Sequence, residues 1–147
     1  MKKTIKKIAC AALCAVLLFC MYVPAFADRS TYFAHTTMHN GAQVYRQGSL
    51  SGATVTASIS LTFVSGVAHL PVSDYSCGIR VEGKNLNGSI RWSREVKSAS
   101  MYCSISTDGS SKPVLPKATC KFYLDPDMSP TNPLSNQIQD YTDELSI

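Results

Sequence analysis

Charge is scarce in this sequence. Asp, Glu, Lys and Arg make up 16% of its 147 residues, where a soluble domain usually carries about 25%. Tryptophan occurs once, and no apolar residues recur at helical spacing over a long stretch before residue 130. No Cys-x-x-C is present, and no Cys and His residues share zinc-site spacing, so finger, ribbon and thioredoxin-like chemistry are excluded. A phosphate-cradling Gly loop is also missing. The nearest approach to a Gly-x-Ser-x-Gly nucleophile elbow is Gly48-Ser49-Leu50-Ser51-Gly52, with Leu50 in the nucleophile's place. No carboxylate pair stands out for glycoside hydrolysis. His35 and His39 fall four apart, but on a strand that is about 13 Å, too far to share an ion. Asp125 and Asp127 flank a proline and read as a turn rather than a Ca²⁺ loop. The sequence therefore calls for no metal and no cofactor.

What is present begins with an address. Lys2, Lys3, Lys6 and Lys7 precede an apolar run, Ile8 to Val23, and then Pro24-Ala25-Phe26-Ala27. A positive start, a short apolar core and an Ala-x-Ala site make a secretory signal peptide, with cleavage expected after Ala27. The run is too short for a comfortable membrane span: 16 residues of helix reach about 24 Å against a hydrocarbon core of about 30 Å. Leu17-Leu18-Phe19-Cys20 resembles a lipobox only in part, since Phe19 stands where a small residue is required. The expected organisation is a signal peptide over 1–27, a domain over 28–124 and a Pro-rich C-terminal segment over 125–147.

Cleavage changes the charge. The four signal lysines account for the whole formal charge of +4, and the ten remaining basic residues balance ten acidic ones. A neutral mature chain excludes the clustered Lys and Arg that nucleic-acid binding needs, and leaves no membrane span. Three of the six cysteines leave with the signal; Cys77, Cys103 and Cys120 remain. An odd number outside the cytosol implies one bridge and one spare thiol, or a dimer through the third cysteine; core cysteines with at most one bridge are favoured over redox chemistry.

The mature chain alternates with period two. Ala53, Val55, Ala57, Ile59, Leu61 and Phe63 face one way, and Thr54, Thr56, Ser58, Ser60 and Thr62 the other. This is a strand with one face in a core and one toward water. Ser65-Gly66 is expected to turn it into a second strand, Val67 to Val72. Asn40-Gly41 joins Thr31–His39 to Ala42–Gln47 as a tight hairpin. Cys77, Ile79 and Val81 alternate with polar neighbours, and pairing Val81 with Ile90 would set Ile79 against Trp92. Met101, Cys103 and Ile105 alternate, as do Ala118, Cys120, Phe122 and Leu124. If these last two form a hairpin, Cys103 faces Cys120, and that pair is the predicted disulfide, with Cys77 left over.

The pattern predicts an all-β fold of about eight strands, an antiparallel β-sandwich (Ig-like or jelly-roll-like) or a small barrel. Leu134, Ile138, Tyr141 and Leu145 then fall at helical spacing behind Asn132 and Pro133, which predicts a short C-terminal helix.

Three functions fit such a chain. The first is a non-enzymatic extracellular binding module for a protein or carbohydrate, with Tyr102, Tyr123 and Lys121 as its ligand-binding face. The same Cys103–Cys120 hairpin would set Tyr102 beside Lys121 and Ser100 beside Tyr123, and Tyr offers contact area with a polar tip. The second is a Cys enzyme using Cys120 and His69. In an all-β secreted chain, Thr119-Cys120 at a strand end resembles sortases, β-barrel transpeptidases that use Cys, His and Arg. That family's strand reads Thr-Leu-x-Thr-Cys; here Pro116 and Lys117 stand in the places of the Thr and Leu, and no Arg follows Cys120. The third is a secreted inhibitor or bacteriocin-like effector. Fold alone does not choose among them.

Overall fold

Residues 30–66, 75–107 and 114–147 are described by the computed structural model. The signal segment, the Val67–Val72 strand and His69 lie outside the described residues. Among the described residues, eight strands form two antiparallel four-stranded sheets packed face to face, so the fold is an all-β sandwich. Sheet A holds β1 (Ser30–His39), β2 (Ala42–Ser51), β3 (Thr54–Phe63) and β6 (Tyr102–Thr107), in that order. Sheet B holds β5 (Ile90–Ser98), β4 (Cys77–Lys84), β7 (Lys117–Leu124) and β8 (Tyr141–Ser146).

Alternation builds the core. On β2, Val44, Arg46, Gly48 and Leu50 are buried while Gln43, Tyr45, Gln47 and Ser51 are exposed. On β3 the buried set is Val55, Ala57, Ile59 and Leu61, the odd positions. Ile79, Val81, Phe122 and Leu145 meet them from sheet B. The first hairpin forms as expected, His39 opposite Ala42. Asn40 and Gly41 take φ of 47° and 81°, the pair of positive values that a type I′ turn demands.

Three expectations are corrected. First, β6 and β7 are not a hairpin. β6 pairs with β3, Cys103 opposite Ile59, while β7 pairs with β4, Cys120 opposite Val81. The chain crosses between sheets there, because β3 and β4 each offer a free ladder edge. Cys103 and Cys120 therefore do not face each other, and all three core cysteines are free thiols. Second, β5 is shifted against β4. Ile79 meets Val96, Val81 meets Arg94 and Gly83 meets Trp92, with a bulge at Gly83/Lys84. The loop is tighter than its Gly and Asn content suggests, closed by Asn85 N–H to Ser89 O at 2.9 Å. Trp92 gains a seat on Gly83, where a Cβ would lie 2.6 Å from the indole.

Third, the C-terminal helix does not form. Residues Leu134–Asn136 make one 3-10 turn, and Tyr141–Ser146 is β8, paired with β7. Asp143 and Leu145 point inward. A charged residue on an inward position hides the period-two pattern, and it is tolerated because Arg46 answers it. Arg46 Nε donates to Asp143 Oδ2 at 3.0 Å, with both side chains under 10% exposed. The guanidinium also lies 3.9 Å from the Tyr141 ring centroid, and Nη1 donates to Thr37. His35 Nδ1 meets the other Asp143 oxygen at 2.7 Å. This knot closes the seam between the β1–β2 side of sheet A and the β8 edge of sheet B.

Candidate binding face

The two outer sheet faces differ. That of sheet B is covered by the chain's own residues 125–137. Leu134 is fully buried, its methyls 3.2 Å from where a Gly78 Cβ would sit, with Pro126 beside it. Lys97 Nζ holds the segment by donating to the carbonyls of Asp127, Ser129 and Asn132 at 2.6, 3.0 and 2.6 Å. Tyr123, the strand partner of Gly78, is 2% exposed, and burial raises its phenol above the ordinary value. Lys121 donates to Glu82 Oε1 at 2.9 Å. Burial alone would raise the Glu82 carboxyl, but Lys121 and Arg80 outweigh it and hold the group below its ordinary value.

The outer face of sheet A stays open among the described residues, and its register builds a patterned surface. Tyr32, Ser49, Thr56 and Ser106 line up in one row across the four strands. The next row is Ala34, Gln47, Ser58 and Ser104, and the third is Thr36, Tyr45, Ser60 and Tyr102. Rows are about 7 Å apart, and the strands carrying Tyr45 and Tyr102 are about 10 Å apart. Tyr32, Tyr45 and Tyr102 are 82%, 40% and 56% exposed. They stand around a shallow cleft of about 630 Å³ floored by Ser and Thr hydroxyls and the Gln47 amide, interspersed with Ala34, Ala57 and Ile105. Tyr45 Oη donates to Gln47 Oε1 at 3.1 Å, and the Ser49 and Thr56 hydroxyls pair at 2.7 Å. No charged side chain lines the cleft.

The predicted site is thus divided. Tyr102 lies on the open face of sheet A, whereas Lys121 and Tyr123 lie on the outer side of sheet B. The structure does not bring the three together, because the hairpin that would have joined them is absent. Tyr32 and Tyr45 do not stand out in the sequence. Their signal is the Asn40-Gly41 register, which sends both to the polar side of the first hairpin.

Cys120 is fully buried, and burial together with Asp143 pushes its thiol up to about 12; nucleophilic cysteines need the opposite. Among the described residues, no helix is long and apolar enough to cross a membrane. Comparison with protein-family models, with characterised proteins and with solved structures finds no match for this chain.

Proposed function

We propose that this chain is a secreted, non-enzymatic binding module that takes an uncharged polysaccharide on the outer face of sheet A. The observation that carries the proposal is three exposed tyrosines around a charge-free floor that mixes hydroxyls and one amide with apolar side chains. Tyr rings cover the apolar faces of sugar rings while their hydroxyls stay hydrogen-bonded. Ser, Thr and Gln supply donors and acceptors to sugar hydroxyls at little desolvation cost. Tyr and Ser together are also the residues favoured in adaptable protein paratopes. A protein partner, however, is normally anchored by buried apolar or Arg hot spots, and this cleft contains no Arg, Leu or Met, and its one Ile, Ile105, is partly buried. Acidic polymers would need Lys or Arg there. The address rests on the sequence: four lysines, an apolar run and Ala25-Phe26-Ala27.

The test is a titration of the chain against neutral glucans, mannans and galactans, with an acidic polysaccharide and a protein array in parallel. Binding to a neutral glycan is expected, and Tyr32→Ala, Tyr45→Ala and Tyr102→Ala should each weaken it by about tenfold, the equivalent of about 1.4 kcal/mol. Their urea midpoints should not move, since all three rings face solvent. Binding only to an acidic polymer or a protein, or glycan binding indifferent to all three substitutions, would overturn the proposal.

A further inference from the structure

The three core thiols are not equivalent, and their placement differs from any pairing that strand order suggests. Cys77 opens β4, faces the core and donates its S–H to Ser100 O at 3.1 Å. Cys103 is the second residue of β6, faces the core from the other sheet, and has its Sγ 3.8 Å from Val96 O. Ser98 is the strand partner of Cys77 and Val96 that of Ile79. Residues 98–102 carry the chain from β5 in sheet B to β6 in sheet A. Both sulfurs therefore sit against carbonyls of one stretch, the end of β5 and the crossover that follows it, near enough for each thiol to perturb the other. Cys120 is elsewhere. Its β4 partner is Val81, four residues from Cys77, which is about 13 Å along the strand and beyond the reach of a disulfide, whose Cα atoms lie within about 7 Å.

We infer that Cys77 and Cys103 are the pair an oxidising compartment joins, in a disulfide that ties sheet A to sheet B, and that Cys120 remains a thiol. The step is ordinary exchange. One thiolate attacks the disulfide of an oxidant, either a dithiol oxidase or oxidised glutathione, and releases one thiolate of that oxidant. The second cysteine then displaces the remaining half. Two S–H bonds are lost, one S–S bond forms, and the oxidant leaves as two thiols carrying the two electrons and two protons.

Burial sets the timing. Cys77 is fully buried and Cys103 nearly so. The neighbouring Cys103 sulfur, with burial, also holds the Cys77 thiol protonated, above its ordinary value. Exchange therefore occurs while the sheets are still apart, and the finished bond is shielded from reductant. Neither the oxidant nor the bond depends on the ligand of the tyrosine face.

The experiment refolds the full chain from denaturant in a reduced and oxidised glutathione buffer. Free thiols are alkylated under denaturant, and tryptic peptides are weighed before and after reduction. A Cys77 peptide joined to the Cys103 peptide is expected, with Cys120 alkylated. Alkylation of both Cys77 and Cys103, or a bond from either to any other cysteine, would overturn the inference. A second measurement uses stability. The oxidised chain and its Cys120→Ala variant should lose melting temperature on reduction, while Cys77→Ala should be indifferent to reductant. A reductant response retained in Cys77→Ala overturns it as well.

Discussion

Removing the Asp143 carboxylate should cost this small sandwich far more than removing any exposed charge. In Asp143→Ala the Arg46 guanidinium stays in place, 6% exposed and stacked on Tyr141, with Thr37 as its remaining hydrogen-bond partner. Two unit charges at the 3.0 Å separation seen here attract by about 5 kcal/mol at an effective dielectric of about 20. Desolvation offsets much of that gain while the pair exists, but an orphaned buried charge keeps the desolvation cost without the attraction, so a loss of about 3–5 kcal/mol is expected. Arg80 with Glu95 provides the contrast. Their side chains are 17% and 29% exposed and 3.3 Å apart, and Glu95→Ala should cost no more than about 1 kcal/mol from that pair. Urea unfolding of both variants measures the difference. The double variant Arg46→Met with Asp143→Leu completes the test, because an apolar pair of similar volume should recover most of the loss. If Asp143→Ala falls within about 1 kcal/mol of wild type, or if the double variant is no better than the single, the seam is not held by a buried ion pair and the reasoning fails.

Further outcomes follow from the other packed features. Glu82 titrates below its ordinary value of 4.5 in the folded chain. Its stabilising contribution is therefore present above that value and lost as pH falls through it toward the lowered one. Wild type should lose stability between roughly pH 5 and 3 more steeply than Glu82→Gln; parallel curves by chemical denaturation would count against the cluster. Leu134→Ala should cost about 2–5 kcal/mol and speed amide exchange at the 125–137 segment, since Leu134 is fully buried on Gly78; unchanged exchange there would show that Leu134 does not pin the segment. Gly83→Ala places a methyl 2.6 Å from the Trp92 ring, so a loss of about 1–3 kcal/mol is expected. The fluorescence of the single tryptophan should shift with it, and an unaltered spectrum and midpoint would refute the contact.

Local chemistry was legible in the sequence. Period two assigned the inward residues of β3, β4 and β7, because side chains alternate across a strand whatever the strand pairs with. Asn40-Gly41 set a register because two positive φ values in a row admit few residues. The position of β8 was not legible, since a buried Asp143 reads as a solvent residue until Arg46, 97 positions away in sequence, is placed against it. The same holds for the site. Tyr102 and Tyr123 could be assigned to polar strand faces, but alternation says nothing about which sheet a face belongs to. Only the crossovers decided that Tyr102 joins Tyr32 and Tyr45, that Tyr123 goes under the C-terminal segment, and that Cys103 meets Cys77 rather than Cys120. Strand partners are chosen by long-range closure of ladder edges and by the fit of two sheets, energies that belong to pairs of distant segments and to neither segment alone.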